Sequence, residues 1–416
     1  MPRRQGYALL IALLAGTAVL AAAVAFAGTL LFSGPGGRPA PADAPGTRAA
    51  APGPAAPAHS AGLWTATWAA APIAGVSDTS HGSALNRRTI RNVVHTSIGG
   101  DAARITLSNV FGTRPLRLER VTVNARTVTF GGAARATVAA GGQLVSDPVV
   151  VPVAADADLV VALRTSAPEG PVTMHPGSHQ TSYVDTAWGT WRTDGWRYLT
   201  AVDVRTRAAA GTVVAIGDSL TAGTGSTSDT NSRWPDVLAD RLGGRYGVAN
   251  TGIAGNRVLL DGRGVRASAR FDRDALGVAG VRTVVVALGI NDVQKAPQET
   301  DPHRIADALR SMTRRAQAHG LRVVGATLMP YEGFRTWTPA REEVRQRVNE
   351  LIRAGGVFDA VVDFDAAARD PHRPTRLRPA YDSGDHLHLN DAGYRLLGST
   401  VDLTTLVHER PVSDAL

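Results

Sequence analysis

The chain has 416 residues, 44% of them hydrophobic, and a formal charge of +8 at neutral pH. That length exceeds what one hydrophobic core usually organises, so two domains with accessory segments are expected, and the absence of cysteine excludes disulfides, thiolate nucleophiles, cysteine-ligated zinc and a lipoprotein anchor. The charge comes from scattered arginines, with Lys295 the single lysine, and forms no basic stripe, so no nucleic-acid partner is expected.

In chain order, Arg3 and Arg4 precede an apolar run from Tyr7 to Phe32. As a helix rising about 1.5 Å per residue it would reach about 39 Å, enough for a bilayer core of about 30 Å. Residues 1–32 therefore read either as an uncleaved signal anchor, which would tie the protein to the membrane, or as a signal peptide cut after Ala25-Phe26-Ala27. Both readings export the rest, to the cell surface or the extracellular space. Residues 33–61, rich in Pro, Ala and Gly, cannot bury enough apolar surface to offset their ordering entropy and read as a disordered tether.

Residues 62–205 carry short β-type runs separated by Gly, Pro and Asp turns. The candidate strands are Thr65–Ala69, Asn92–Thr96, Arg104–Ser108, Val149–Val153 and Asp158–Arg164, the last alternating Leu159, Val161 and Leu163 on one face. Leu116 and Leu118 are followed by Val121 and Val123, a slip in parity that predicts a bulge. Many short strands at this spacing imply a β-sandwich or jelly roll. Trp188, Trp191, Trp196 and Tyr198 cluster near the end of this region and read as hairpin packing, with sugar stacking as the alternative. His175 and His179 flank a Pro-Gly turn and read as surface or hydrogen-bonded loop residues.

From Gly211 to about residue 408 the texture changes to an α/β domain. Apolar runs at Thr212–Ile216, Tyr246–Asn250, Val281–Leu288, Leu321–Thr327 and Phe358–Asp363 alternate with helical stretches at Trp234–Leu242, Ala267–Leu276, Pro302–Ala318, Pro339–Arg353 and Asp391–Leu403. Five near-continuous apolar strands linked by helices predict a parallel, doubly wound sheet covered on both faces, with its ligand site at the carboxyl ends of the strands.

Four motifs fall at that edge. The first strand runs into Gly217-Asp218-Ser219-Leu220, which would expose the Ser219 hydroxyl; no G-x-S-x-G elbow occurs. The second ends in Asn250-Thr251-Gly252-Ile253-Ala254-Gly255-Asn256, where glycine lets a main-chain N–H approach a developing charge, and Gly255 is preferred over Gly252. The third ends in Gly289-Ile290-Asn291-Asp292, where the Asn291 amide can donate to the same oxyanion and Asp292 reads as a ligand of local backbone. Past the fifth lies Asp385-His386-Leu387-His388, whose spacing lets Asp385 orient His388 toward Ser219. His386 would point elsewhere, and a two-histidine metal site is the weaker alternative.

Together these blocks resemble the SGNH, or GDSL, family of esterases and lipases, over the whole stretch from Gly211 to about Leu403. Trp68-Ala69-Ala70-Ala71-Pro72 and His95-Thr96-Ser97-Ile98-Gly99-Gly100 are similar to the β-domain that precedes the catalytic domain in some exported members. The resemblance implies a flavodoxin-like three-layer α/β/α domain and ester hydrolysis through an acyl-enzyme, with no metal or other cofactor. Ser219, Asp385 and His388 would form the triad, and Ser219, Gly255 and Asn291 the oxyanion hole. Leu389 stands where many relatives have proline.

The expected activity is therefore hydrolysis of carboxylic esters, either acetylated carbohydrate or short acyl esters, by a monomer acting on small-molecule or polysaccharide substrates. The alternatives are a lipase or lysophospholipase-type acyl hydrolase, a non-catalytic polysaccharide-binding surface protein, and a metal-dependent phosphodiesterase.

Overall fold

The computed structural model describes residues 63–75, 88–165, 170–187 and 189–406. The amino-terminal apolar run, the tether and Trp188 lie outside the described residues. No helix among the described residues is long and apolar enough to cross a membrane.

The first part is all strand: β1 (Leu63–Ala69), β2 (Ile73–Gly75), β3 (Arg88–Thr96), β4 (Gly100–Ser108), β5 (Leu116–Val123), β6 (Arg126–Thr127), β7 (Ala136–Val138), β8 (Gln143–Val145), β9 (Val149–Val153), β10 (Ala157–Thr165), β11 (Val172–Thr186), β12 (Gly189–Arg197) and β13 (Leu199–Thr206). One antiparallel sheet has the order β1-β13-β4-β8, with β9 also on β4. A second has the order β12-β11-β3-β10-β5-β6, with β2 on β11 and β7 on β5. Alternation explains both: β10 turns Leu159, Val161 and Leu163 inward, and these pack in one core with Ile105, Leu107, Val202 and Val204 of the other sheet. In β5 the register shifts between the partners of Arg164 and Thr165, so Leu116, Leu118, Val121 and Val123 are all buried despite their mismatched parity.

The second part alternates strand and helix: β14 (Thr212–Gly217), α1 (Ser219–Ala222), α2 (Trp234–Leu242), β15 (Gly247–Asn250), α3 (Ala267–Phe271, continued by a π-helical turn over Asp272–Leu276), β16 (Val281–Ala287), α4 (Ile290–Gln294), α5 (Pro302–Ala318), β17 (Arg322–Ala326), α6 (Pro339–Arg353), β18 (Ala360–Val362), α7 (Phe364–Ala368) and α8 (Asp391–Thr400). The strands form one parallel sheet in the order β15-β14-β16-β17-β18. The strands from β15 to β17 feed two cores, and β18 adds Val362 to the second. Val214, Ile216, Val284 and Val286 pack with Phe271, Leu309 and Ile352 on one face. Val213, Ala215, Val285 and Val324 pack with Trp234, Phe364 and Leu397 on the other. This is a three-layer α/β/α arrangement, which is why the strands carry no polar alternation.

Helix ends follow local chemistry. Asp301 caps α5 by accepting from His303 N, Thr338 caps α6 by accepting from Arg341 N, and proline opens both helices. The last helix stops at Thr400, short of the expected Leu403, because Val401 turns extended; a 3₁₀ turn follows at Leu403–Leu406.

Two seams join the parts. Along one, Ala66 N donates to Ala279 O at 3.0 Å and Val248 N, on the edge strand β15, donates to Ser97 Oγ at 2.9 Å. Gly247 is required there, since a Cβ would lie 2.1 Å from Ala66 O. Along the other, Thr181 N and Oγ1 donate to the Asp229 carboxylate at 2.5 and 2.6 Å, and Arg233 Nη1 donates to Ser178 O at 3.3 Å. The β-rich part thus holds the segment that leads from α1 to α2.

Candidate active site

The carboxyl end of β14 turns sharply into α1. A Cβ on Gly217 would sit 1.9 Å from Thr221 Oγ1, so the turn needs glycine. Asp218 caps the helix, its Oδ1 accepting from Leu220 N at 3.0 Å. Ser219 is the first residue of α1, where no i−4 carbonyl engages its N–H, and it is 6% exposed.

The loop before α8 closes on itself through an Asp382–Leu389 bridge and a 3.0 Å bond from Ser383 N to His388 O. It brings His388 Nε2 to 2.9 Å from Ser219 Oγ across 169 positions of sequence. On the other side of the ring, Nδ1 lies 2.6 Å from Asp385 Oδ2. A carboxylate can only accept, so Nδ1 carries the proton and Nε2 is left to accept from the serine hydroxyl. Asp385 Oδ1 accepts from His388 N at 2.8 Å and Leu387 N at 3.0 Å. Burial alone would raise this carboxyl, but the bonds from the His388 ring and from these two N–H groups outweigh it and hold it below the usual range.

His386 forms a separate pair with Asp382 at 2.6 Å, and its side chain is 53% exposed. Among the described residues no group of three or more His, Cys, Asp or Glu side chains gathers as a metal site.

Asn291 lies in the first turn of α4, 1% exposed. Its Oδ1 accepts from Gln294 Nε2 at 3.1 Å, and Gln294 Oε1 in turn accepts from Thr336 Oγ1 at 2.8 Å. This fixes the amide orientation and leaves Nδ2 buried without an acceptor in full hydrogen-bond range, near the Asp218 carboxyl whose charged form it favours. Gly255 has φ +79, and a Cβ there would meet Lys295 Nζ at 2.3 Å; the ammonium donates to Gly255 O at 3.0 Å. Gly252 presses on the serine turn instead, its imaginary Cβ 2.5 Å from Ala222 N.

Two residues tie these loops together without touching the serine. Arg270, fully buried, donates to Gly217 O at 3.0 Å, Thr251 O at 2.8 Å and Asn256 Oδ1 at 3.0 Å, and pairs with Asp274. Sequence reasoning passed over it, although an Arg and an Asp four apart beside Ala267, Phe271 and Ala275 on an apolar helical face was the available signal. Asp292 binds backbone, but distant rather than local: its carboxylate accepts from Val258 N at 2.8 Å and Leu259 N at 2.9 Å. The Asp218 carboxyl is pushed up to about 7 by burial, partly offset by Leu220 N–H and the Lys295 charge.

The family model of the GDSL-like lipase/acylhydrolases matches residues 215–396, which span the strands and loops just described. These residues form a GDSL-like lipase/acylhydrolase domain. Among solved structures, the chain is similar to a GDSL-like lipase from Bacteroides thetaiotaomicron, with 20% identity over 46% of this chain and 86% of that one, TM-score 0.36. It is also similar to a carbohydrate acetylesterase from Sinorhizobium meliloti, with 19% identity over 45% and 94%, TM-score 0.36, and to an aryl esterase from M. smegmatis, with 19% over 47% and 99%, TM-score 0.38. No curated protein sequence matches the chain.

Within the GDSL-like domain, then, Ser219, His388 and Asp385 meet in one hydrogen-bonded line, and Asn291 and Gly255 sit on the two neighbouring loops at the same sheet edge. Phe334 stands edge-on to the His388 ring, centroids 6.3 Å apart, beside an apolar cluster of Ile290, Tyr331 and Leu387. Outside the domain, Trp196 and Tyr198 are buried in hairpin packing while Trp191 is 51% exposed. His175 is a correction: it lies in β11 and is buried, with Nδ1 on the Ala71 carbonyl at 2.8 Å, because the Pro-Gly turn falls inside a long strand.

Proposed function

We propose that the protein is an exported serine ester hydrolase that works through an acyl-enzyme. The observation that carries this reading is the line from Asp385 through His388 to Ser219, with a buried amide donor at Asn291 on the next loop. In this mechanism His388 Nε2 takes the Ser219 proton as Oγ bonds to the ester carbonyl carbon. The carbonyl electron pair moves onto oxygen, held by the Ser219 and Gly255 N–H groups and Asn291 Nδ2. When the carbon–alkoxy bond breaks, His388 returns the proton to the departing alcohol, and water attacks the acyl-serine by the same route. Asp385 keeps the Nδ1 proton and offsets the charge that forms on the ring.

The edge of Phe334 closes one side of His388, which supports small acyl groups, so short acyl esters and acetylated carbohydrate are the proposed substrates, met as a monomer. The two-sheet part is assigned to the β-sandwich class and to residues 62–205, and the parallel sheet to a flavodoxin-like domain over 211–408; strand order and the shared core of the two antiparallel sheets support this. The basic-then-apolar start of the chain supports export, with or without a retained membrane anchor.

Ser219→Ala tests the mechanism. It should lower hydrolysis of a short-chain chromogenic ester on the order of 10⁴-fold or more and abolish labelling by a fluorophosphonate, with the melting temperature kept. Retained turnover in that folded variant would overturn the assignment.

A further inference from the structure

Beside the β15 edge, away from the serine, the two parts enclose a cleft of about 470 Å³. Its wall is rich in acceptors. Asp156, Asp236 and Asp240 line it, together with Gly243 and Gly244 at the carboxyl end of α2, where unsatisfied carbonyls concentrate partial negative charge. Cations there are already engaged: Arg233 is spent on Asp236 at 2.7 Å and on Ser178 O, and His95 is shared between Asp156 at 2.8 Å and Asp158 at 3.0 Å. The Asp240 carboxylate makes no hydrogen bond or ion pair among the described residues. Burial and the charges of Asp156 and Asp236 hold its carboxyl above the usual range.

Two further acceptors are unmatched. His175 is 6% exposed and lines the cleft; its Nδ1 must donate to the Ala71 carbonyl, which leaves the ring's Nε2 lone pair without a partner. Burial holds this histidine down to about 4, so the ring is neutral and Nε2 stays an acceptor. Asn231, also on the wall, has its Oδ1 buried with no donor. Trp68, Trp196 and Val248, each less than a tenth exposed, present narrow apolar edges to the cleft between these groups. Unmatched acceptors, an uncompensated carboxylate and an apolar wall share one complement: a donor-rich cation carried on a hydrocarbon body.

We propose that this cleft is a second binding site, separate from Ser219, for a small organic ammonium ion whose hydrocarbon part rests on the tryptophan wall. Its basis is independent of the esterase reading, and so is its readout.

Isothermal titration of the full chain with benzylamine, against its neutral analogue benzyl alcohol, tests the site. Benzylamine should bind saturably at one site with at least tenfold higher affinity than the alcohol. The pair Asp156→Asn and Asp240→Asn, at exposed positions where folding is kept, should weaken it at least tenfold, and Asn231→Gly, which keeps a left-handed backbone, should weaken it several-fold. No saturable binding of benzylamine in the tens of millimolar, equal affinity for the alcohol, or unchanged affinity in the carboxylate variants would each overturn the proposal.

Discussion

Two buried asparagines, one in each part of the molecule, are satisfied in opposite ways. Asn92, on β3 and fully buried, uses both ends of its amide on Arg197: Nδ2 donates to the carbonyl at 3.2 Å and Oδ1 accepts from the N–H at 2.8 Å. Asn291, equally buried on α4, has only its oxygen in a full hydrogen bond. The first amide completes a structure, whereas the second leaves its nitrogen without a full hydrogen bond, in keeping with the oxyanion role proposed for it.

The sharpest way to break this contrast is Asn291→Ala. It should lower kcat about 100- to 1,000-fold in the ester assay while leaving the melting temperature within a few degrees, since the side-chain interactions lost are the one bond from Gln294 to Oδ1 and the contact of Nδ2 with Asp218. Asn92→Ala should do the reverse. Two main-chain groups of Arg197 would lose their partners, so chemical denaturation should show a loss of about 2–4 kcal/mol, with kcat per folded molecule unchanged.

Asp218 sharpens the comparison through pH. A carboxyl raised to about 7 in the folded state stabilises most below its unfolded value, near 4, and that stability is lost as pH rises through about 7. Asp218→Asn mimics the neutral form, so in chemical denaturation at a series of pH values the stability of this variant relative to the parent should rise steadily as pH increases from about 4 through about 7. The smallest effect is expected at His386, paired with Asp382 and half exposed: His386→Ala should change kcat by less than about twofold.

Much of the fold was legible because strong periodicity and capping signals agree with the tertiary structure. The boundaries of α2, α5 and α6 follow proline and cap residues, and the β5 slip follows from four apolar side chains that cannot share one parity. The helices α1, α4 and α7 were not legible, since four or five residues are too few to display a helical period. Ser219, Asn291 and His388 stood out because each follows an apolar strand, whereas the 169-residue reach between serine and histidine exists only once the chain is folded. Arg270 and the Asp229–Thr181 clamp depend on carbonyls and loops brought together from far apart, which no local pattern records.

The Ser97 hydroxyl seated on Val248 also has a meaning for how the protein can be divided. The outer strand of a parallel sheet presents unpaired donors and acceptors that invite another chain to add itself. Here a side chain from the neighbouring β-rich part occupies that position, and Ala66 closes over Gly247. Cutting the protein at residue 211 would therefore uncover an adhesive rim, and the excised fragment should self-associate in light scattering more than a chain of residues 62–416 does.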